Sequence, residues 1–451
     1  MKFCALALGT RGDVQPFLGV ARALLKRSSS LDSSVVICAA ECFRSLTIDD
    51  YCAQEAREGR LTFETCGLER IEQPPGWMTA TSLAEFIAEN AKMYASKYDE
   101  MGNSMVSACT GCDVILVNVF SQHIGMDIAE SLGAKCVALK LTPDTTTWRV
   151  PPFGEEEWRW PLNAGIVTYV RYLLRTFAAI RASIASKYTD EQNKFRQNSL
   201  SLGPVTLSRF GDMRRMTTLY GFSSALFPKP DDWPSCAHVT GFWFADNPKR
   251  RSLSDAHPRL DAFVRGCCEK ESDRPVCVTF GSMSVIDAAG CDVVTRCVEA
   301  VIDGLQRKCV LIRGWTRKDV AERLKVRFGD SLCVVDAVPH ELLFKHCSCV
   351  VYHGGAGTTA RVLQSGVPAV VVPILRWYDQ LGWGICIERT GAGVCVSSAQ
   401  QATSDVLEEA VGKVIKNREF ADAAKAVAAI MAREGGAEAA ARLVLESVSD
   451  E

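Results

Sequence analysis

YHGGAGTTARVLQSG, residues 352–366, is the stretch in which an apolar segment of the chain gives way to a helical one. The preceding run CSCVVYH, which begins at Cys347, is apolar and β-branched, as a buried parallel strand should be. From Thr358 onward good helix formers follow, and Gly366 is placed to end the helix. This order predicts a strand, a glycine-rich turn and a helix, which is the repeating unit of an α/β sheet.

The glycine-rich turn is typical of an anion site. Gly354, Gly355 and Gly357 leave room for backbone N–H groups to approach a ligand at a helix N-terminus, where the helix dipole supplies roughly half a positive charge. Three side chains offer further donors, namely His353, Thr358 and Thr359. A diphosphate could therefore be held without a metal ion. The alternative for a glycine-rich turn between a strand and a helix is tight packing. The turn matches neither the phosphate loop nor the G-x-G-x-x-G dinucleotide fingerprint.

The opening of the chain, residues 1–27, predicts a second unit of the same kind: MKFCALALGTRGDVQPFLGVARALLKR. Phe3 to Leu8 is an apolar strand, Gly9 to Pro16 is a tight turn, and Phe17 to Arg27 is a helix with one apolar face. Asp13 lies in the turn, where its carboxylate would face the crevice above the strand ends. The alternative role for Asp13 is that of a helix N-cap or first-turn acid.

Length and charge limit the class of protein. A chain of 451 residues is long enough for two or three domains at about 150 residues each. The net charge of −2 gives no electrostatic case for nucleic acid as a partner. The sequence shows neither a leader-like N-terminal segment nor an apolar run of about 18 residues, so a cytoplasmic location is expected.

Cysteine usage predicts reduced thiols and no metal site. The 20 cysteines are scattered through apolar strands rather than spaced as a disulfide framework. Cys109 and Cys112 form the one C-x-x-C pair, and no neighbouring residues complete a four-ligand zinc site. We therefore expect most of the cysteines to be buried core residues.

Strands alternate with helical segments in both halves of the chain, which predicts two doubly wound parallel sheets. A helix is expected near Ile124 to Leu132, and the tail from Val406 is Ala-rich and helical. FPKPDDWP, with three prolines, suits an interdomain linker. The predicted boundaries are residues 1–230, a linker at 231–237, residues 238–430, and a last helix at 431–451. Apart from Phe3 to Leu8, the predicted strands are Ser34–Ala39, Asp113–Asn118, Lys135–Leu141, Val276–Phe280, Cys309–Arg313, Leu332–Val335, Cys349–Tyr352 and Pro368–Pro373.

HGGAGTT, followed by a Gly-Val-Pro strand and then Asp379-Gln380, resembles the nucleotide-sugar site of family 1 glycosyltransferases. The opening motif of residues 1–27 resembles the same subfamily, which contains the sterol glucosyltransferases and the bacterial antibiotic glycosyltransferases. The resemblance implies a GT-B fold, in which two Rossmann-like domains face a central cleft. The first domain would bind the acceptor and the second the nucleotide sugar, and the last helix would cross back to the first domain.

The resemblance also implies roles for individual residues. Asp13 is the expected general base, and His123, after the strand Asp113–Asn118, is a second candidate whose alternative is an ordinary helix N-terminal residue. Asp379 and Gln380 are expected to bind the sugar hydroxyls, and the backbone of Val338 the base. The expected donor-binding residues are Gly12, Ser282, Trp315, Val338, His353, Gly355, Gly357, Thr358, Thr359, Asp379 and Gln380.

Two departures from the family pattern stand out. Arg361 occupies the position where many plant members carry a ribose-binding Glu, which the sterol and antibiotic groups also lack. No His lies beside the first turn, where many members keep their base. Arg361 leaves the choice between uridine and thymidine diphosphate open.

The function implied by the resemblance is inverting, metal-independent transfer of a hexose, with UDP-glucose as the expected donor and no other cofactor. The expected acceptor is a hydrophobic hydroxyl compound, with a sterol ahead of other lipophilic small molecules or natural products. Residues from Thr142 to Tyr188 carry an apolar face with basic flanks, which would line a lipid pocket, make peripheral membrane contact, or simply cover the core. The alternatives are an epimerase of the same architecture and a non-catalytic nucleotide-sugar binding or scaffold protein.

Overall fold

A computed structural model supplies the structure of the protein. It describes residues 1–28, 33–70, 95–145, 147, 149–150, 153–154, 187–205, 208–245, 252–267, 273–281, 293–314, 316–375 and 379–449. Most of the predicted acceptor segment, Thr142 to Tyr188, lies outside these residues, as do Ser282 and Trp315.

The first sheet has seven parallel strands in the order β3-β2-β1-β4-β5-β6-β7. The change of direction at β1 and β4 places the carboxyl ends of these two strands beside the crevice of a doubly wound sheet. Their bounds are β1 Lys2–Leu6, β2 Ser34–Ala39, β3 Leu61–Thr65, β4 Val114–Val117, β5 Lys135–Lys140, β6 Thr218–Tyr220 and β7 Ala237–Val239.

The second sheet has six parallel strands in the order β10-β9-β8-β11-β12-β13. Its corresponding crevice lies at the carboxyl ends of β8 and β11. The two parallel sheets confirm the predicted α/β fold class. The bounds are β8 Val276–Thr279, β9 Cys309–Ile312, β10 Leu332–Val335, β11 Cys349–Tyr352, β12 Ala369–Val371 and β13 Gly393–Cys395.

Helices connect the strands and cover both faces of the sheets. Those of the first half are α1 Arg11–Arg27, α2 Ala53–Arg57, α3 Tyr98–Cys109, α4 Gln122–Leu132, α5 Lys187–Ser199 and α6 Ser208–Arg215. Those of the second half are α7 Leu253–Ala256, α8 Pro258–Arg265, α9 Val293–Glu299, α10 Lys318–Phe328, α11 His340–Leu343, α12 Ala356–Gln364, α13 Asp379–Thr390, α14 Ser404–Lys416, α15 Arg418–Met431 and α16 Gly436–Ser449.

Helix α1 starts earlier than the sequence predicts. It begins at Arg11, with Thr10 as N-cap, so most of the predicted turn is helical. Pro16 lies inside the helix, and because proline has no N–H it cannot bond the carbonyl of Gly12 one turn back. The predicted apolar face is confirmed, since Phe17 and its helical neighbours on that face are buried in the core.

The first sheet extends further along the chain than the predicted boundary at residue 238. β7, Ala237–Val239, pairs with β6 as the edge strand of the first sheet, so the crossing to the second domain follows β7. The proline-rich residues 227–234 connect β6 to β7 instead. A cluster of prolines and acidic residues indicates a turn. A turn between two strands fits this sequence pattern as well as an interdomain linker does.

The end of the chain packs on the first domain. Ala440, Ala441 and Val444 of α16 are buried in the same core as Phe17 of α1. Lys26 Nζ forms an ion pair with Glu438 Oε1 at 2.8 Å, at the edge of this contact. Helix α16 thus joins the two ends of the chain, and the position of α1 depends on it.

The described cysteines are all free thiols, and most of them are buried. Within the described ranges, no helix combines the length and apolar character needed to cross a membrane.

Candidate functional site

Three residues meet at the carboxyl ends of β8, β9 and β11. Gly281 and Gly314 both have positive φ, +61° and +51°, which glycine adopts without strain. A Cβ on Gly314 would overlap the carbonyl oxygen of Gly281, so the two loops can approach only because Gly314 has no side chain. The ring of His353 covers Gly281, with Cε1 only 3.1 Å from the position of a Cβ there. The two loops and the ring of His353 thus form a close-packed surface at the strand ends, which we call the site floor.

His353 is a neutral imidazole at the site floor. Its side chain is buried, and burial lowers its pKa to about 4. Its Nδ1 has no hydrogen-bond partner among the described residues. A buried polar atom without a partner is costly, and a ligand atom at this position would satisfy it. His353 is therefore available to hydrogen-bond a ligand without adding a fixed positive charge.

The helix that follows the glycines, α12, starts at Ala356 with Gly355 as its N-cap. Its first N–H groups have no partner within the helix, as at every helix start. Thr358 Oγ1 also has no hydrogen-bond partner among the described residues, although the residue is buried. Thr359 differs, because its Oγ1 is 2.9 Å from the hydroxyl of Tyr352 on β11. The hydroxyl of Thr359 is thus engaged inside the domain.

Asp13 is the third residue of α1 and caps that helix. Its Oδ2 accepts hydrogen bonds from Thr10 N at 2.7 Å and from Thr10 Oγ1 at 3.1 Å. Burial raises the pKa of Asp13 to about 6, while the hydrogen bonds from Thr10 oppose the rise. The capping role that the sequence leaves open is therefore present, and it fixes the carboxylate at the head of the helix. A carboxyl with a pKa near 6 is a better base than a solvated one.

The two domains meet closely at the heads of α1 and α12. A Cβ added to Gly357 would lie 3.9 Å from the Cα of Gly12 and would meet no nearer heavy atom. Gly12 belongs to the first domain and Gly357 to the second. The glycine pair thus places the start of one helix against the start of the other.

Asp379 starts helix α13 on the second-domain side of this contact. Burial is the largest cause that raises its pKa, to about 7, and the negative charge of Asp13 is the next. Backbone N–H groups, including that of Ala356 at the start of α12, favour the charged form and oppose the rise. Asp379 therefore lies between the helix end of α12 and the carboxylate of Asp13.

Gln380 is buried and holds a loop. Its Oε1 accepts hydrogen bonds from the backbone N–H groups of Ile374 at 2.8 Å and Leu375 at 3.0 Å. The amide oxygen is thus engaged in the second domain, which leaves the NH₂ group of Gln380 as its available donor.

The loop before α11 offers backbone groups and a stacked ring. Val338 is buried, and neither its N–H nor its C=O is hydrogen-bonded within the described residues. The ring of His340 stacks on Phe344 at 4.5 Å. Burial and then the positive charges of Arg11 and Arg361 lower the pKa of His340 to about 3, so this ring is also neutral. A flat base could be recognised here by the backbone of Val338.

Arg361 points from α12 toward the segment between the domains. Its guanidinium donates to the carbonyl of Ala245 at 3.2 Å and lies over the ring of Phe244 at 4.5 Å. Gln15 of α1 donates to the same carbonyl at 3.4 Å. Arg361 therefore contacts the interdomain segment, a role that the family comparison of this position did not predict.

Some predicted residues are not brought together with the others. His123 is partly exposed at the second residue of α4, and it makes no hydrogen bond with Asp13. Ser282 and Trp315 lie outside the described residues. Sequence analysis did not identify Arg11 as a charged neighbour of His340, since the two lie in different domains. Across the described ranges, no three His, Cys, Asp or Glu residues are grouped as metal ligands.

Two doubly wound domains, with the glycine-rich helix end of one against the first helical turn of the other, define the GT-B fold. Residues 318–445 match the family described as erythromycin biosynthesis protein CIII-like, C-terminal domain. Similarity to solved structures extends over the whole chain. The glycotransferase of kitacinnamycin aligns with a TM-score of 0.69 at 16% identity, covering 99% of both chains. Glycosyltransferase VinC in complex with dTDP aligns with a TM-score of 0.64 at 18% identity, covering 100% of both chains.

Curated relatives are sterol 3-beta-glucosyltransferases of fungi. The enzyme of Cryptococcus neoformans var. neoformans serotype D (strain JEC21) is 26% identical over 458 residues, which cover 97% of this chain and 26% of the relative. The enzyme of Komagataella phaffii is 26% identical over 453 residues, which cover 99% of this chain and 34% of the relative. The chain thus spans about a quarter to a third of the length of these relatives. The resemblance to sterol and antibiotic glycosyltransferases is confirmed.

Proposed function

We propose that the protein transfers a hexose from a nucleotide diphosphate sugar to a hydroxyl group of a hydrophobic acceptor, with inversion and without a metal ion. UDP-glucose is the proposed donor and a sterol the proposed acceptor. The observation that carries the proposal is the approach of Gly12 to Gly357 across the cleft. It places a first-domain carboxylate, Asp13, beside the end of α12 that is suited to hold a diphosphate.

The relatives supply the acceptor and donor classes of the proposal. These relatives are named sterol 3-beta-glucosyltransferases, which means transfer of glucose to a sterol. They are longer than this chain by a factor of about three to four, so sterol binding could depend on regions that this chain does not match. A natural-product acceptor is the second possibility, because the solved structures include glycosyltransferases of antibiotic pathways.

The proposed mechanism assigns one task to each part of the cleft. The acceptor hydroxyl attacks the anomeric carbon from the face opposite the diphosphate, and Asp13 takes its proton as the new C–O bond forms. The bond from the sugar to the diphosphate breaks, and the leaving oxygens gain negative charge. N–H groups at the start of α12, the hydroxyl of Thr358 and the imidazole of His353 stabilise that charge. Displacement from the opposite face inverts the anomeric centre.

Donor positioning is proposed for the remaining residues. Asp379 accepts hydrogen bonds from two sugar hydroxyls, and the NH₂ group of Gln380 donates to a third. The free backbone groups of Val338 recognise the base. Asp13 is the proposed base, and His123 on α4 stays the second candidate.

A non-catalytic nucleotide-sugar binding protein is the second candidate. Hydrogen bonds from Thr10 to Asp13 favour it, because they give this carboxylate a structural role that needs no reaction. A scaffold of this kind would keep the donor site at α12 and would show no dependence of any product on Asp13.

The test compares the parent protein with Asp13→Asn in the presence of UDP-glucose, with and without a sterol. Asn keeps an oxygen that accepts from Thr10 but removes the base. Asp113→Asn is the matched control, because Asp113 also accepts from a backbone N–H, that of Lys2, at 2.7 Å, far from the second domain. Mass spectrometry follows the steryl hexoside, and UDP release is measured separately.

Four outcomes separate the candidates. Steryl hexoside from the parent and from Asp113→Asn, with at least a hundredfold less from Asp13→Asn, supports the donor, the acceptor and the base together. UDP release without a steryl product points to another acceptor. Donor binding without any turnover over a panel of lipophilic alcohols supports the scaffold. Failure to bind either UDP-glucose or dTDP-glucose contradicts the proposed donor site.

A further inference from the structure

Helix α13 carries the proposed sugar-binding pair at its first two residues, and it is in contact with the first domain one turn later. Gly382 and Trp383 follow Asp379 by three and four residues, so they lie on the same side of the helix as Asp379. Trp383 is fully buried. Whatever packs against Gly382 and Trp383 therefore determines where the start of α13 lies.

Phe222 and Phe242 contact the Trp383 ring at centroid separations of 5.5 and 6.3 Å. Phe153, which follows β5 in the first domain, lies against both Trp383 and Gly382. Its ring packs edge-on against Trp383, with the ring centroids 4.8 Å apart. A Cβ on Gly382 would lie 2.5 Å from Cε1 and 2.6 Å from Cζ of Phe153, closer than real Cβ contacts. The Phe153 ring thus occupies the space that a side chain at position 382 would need.

Two described residues shortly before Phe153 bond to the loop that connects β6 to β7. Arg149 forms two hydrogen bonds with the carboxylate of Asp231, at 2.6 and 2.7 Å. Thr147 Oγ1 donates to Asp232 Oδ1 at 2.6 Å. Phe153 also packs edge-on against Phe227, with a centroid separation of 6.3 Å. The ring of Phe153 therefore contacts the first domain, at Phe227, as well as α13.

We propose that Phe153 is a positioning residue which fixes α13 from the first domain, so that Asp379 and Gln380 meet the sugar of the donor. The inference rests on the proposed function, since it assumes that these two residues bind the sugar. Phe153 touches no substrate in this role. It acts through Gly382 and Trp383, and it makes sugar binding depend on the relative position of the two domains.

The distinguishing measurement is the ratio of two dissociation constants, for UDP-glucose and for UDP. UDP lacks the glucosyl group, so a shift of Asp379 and Gln380 changes the dissociation constant of UDP-glucose and leaves that of UDP unchanged. General loss of structure would weaken both. Isothermal titration calorimetry with the full chain gives both constants without any need for turnover, and the dTDP-glucose and dTDP pair is measured alongside because Arg361 leaves the nucleotide open.

Two single variants and one double variant test the contact. Phe153→Ala removes the ring, and Gly382→Ala pushes it away, so each should weaken UDP-glucose binding by about tenfold while UDP binding changes by less than about twofold. Leu lacks Cε1 and Cζ, the two ring atoms that a Cβ on residue 382 would approach most closely. Gly382→Ala combined with Phe153→Leu should therefore recover UDP-glucose binding to within about threefold of the parent.

Phe263→Ala is the matched control, because Phe263 is a partly buried aromatic residue of the second domain on α8. It should lower the melting temperature without changing the ratio of the two constants. Equal loss of UDP and UDP-glucose in the Phe153 and Gly382 variants, or no recovery in the double variant, overturns the positioning role alone. A parent protein that binds neither the UDP nor the dTDP pair overturns the proposed donor site and this inference with it.

Discussion

Burial, and after it the negative charge of Asp13 in the opposite domain, raises the pKa of Asp379 to about 7. The two carboxylates lie at the starts of α1 and α13, and the approach of Gly12 to Gly357 brings their helices together. Like charges at short range disfavour ionisation of both groups. A donor bound between them would separate the two carboxylates. The pKa values of Asp13 and Asp379 should therefore be linked to the binding of a nucleotide sugar.

The first prediction concerns the pH dependence of turnover. Asp13 must be ionised to accept a proton, and its pKa is raised to about 6. We therefore expect kcat/KM to be constant at high pH and to fall about tenfold per pH unit below pH 6. Asp379 has a pKa of about 7, so its protonation should cause a second fall in kcat/KM that begins near pH 7. Asp379→Asn should remove this second fall. A profile that stays flat down to pH 5 would contradict Asp13 as the base.

The second prediction concerns stability, and its sign follows from the raised pKa of Asp13. A carboxyl whose pKa is raised from 3.8 to about 6 on folding stabilises the protein below pH 4, and this stability is lost as the pH rises through 6. Asn cannot ionise and still accepts from Thr10. Asp13→Asn should therefore be more stable than the parent at pH 8, by about 1–2 kcal/mol after allowance for partial exposure, and equal to it near pH 4.

Thermal unfolding at pH 8 and at pH 4 measures this difference, with Asp113→Asn as the exposed control. A gain in stability together with loss of hexose transfer in Asp13→Asn would show that the carboxylate of Asp13 destabilises the folded protein but is needed for transfer. A Tm of Asp13→Asn that falls below the parent at pH 8 would show that capping by the carboxylate outweighs its burial.

Much of the fold could be predicted because the signals are local. The strand, glycine-rich turn and helix around His353 depend on apolar runs and helix stops within about 20 residues. The strands Ser34–Ala39, Leu332–Val335 and Cys349–Tyr352 have the predicted bounds. Strands β3, β6, β7 and β13 were missed, and all four lie at or next to the edge of their sheet.

The candidate site could be predicted less completely, because its geometry depends on contacts between distant parts of the chain. No local pattern shows that Gly12 lies against Gly357, or that Phe153 packs on Trp383. Side-chain direction is also hidden from the sequence. Thr358 and Thr359 are identical in kind and adjacent, yet the hydroxyl of Thr359 bonds within the domain.

The third prediction compares two glycines of the donor helix. A Cβ on Gly357 would meet only Gly12, at an ordinary contact distance of 3.9 Å, whereas a Cβ on Gly355 would strike the ring of His353. Gly357→Ala should therefore fold as well as the parent, with a helix favoured by up to about 1 kcal/mol. Because the methyl group fills the space between the domains, UDP binding should weaken by about tenfold.

Gly355→Ala is the matched comparison for this helix end. It should lower the Tm and disturb His353, so its loss of UDP binding would come with a loss of stability. Thermal unfolding and calorimetric titration with UDP, carried out on both variants, separate the two effects. Unchanged UDP binding in Gly357→Ala would place the diphosphate away from the start of α12.

The last prediction concerns a buried ion pair that holds helix α5 of the first domain against helix α4. The guanidinium of Arg196 on α5 is almost completely buried, and it pairs with the fully buried carboxylate of Asp127 on α4. Gln192 Nε2 donates to the other oxygen of Asp127 at 2.6 Å, and Arg196 Nε donates to the carbonyl of Gly203 at 2.7 Å. Helix α5 is therefore held on α4 by a polar network in which every member needs the others.

Arg196→Met removes the buried cation that pairs with both Asp127 and Glu130, so we expect the first domain to lose about 3–5 kcal/mol of unfolding free energy. Arg442→Met is the control, because it removes an exposed pair with Glu446 on α16 and should cost less than about 1 kcal/mol. Asp127→Leu in the Arg196→Met background should recover much of the loss, since no buried charge then remains unpaired at that position. Urea unfolding followed by circular dichroism measures the three midpoints. If Arg196→Met unfolds at the same urea concentration as Arg442→Met, solvent reaches Asp127 and the network does not hold α5 in place.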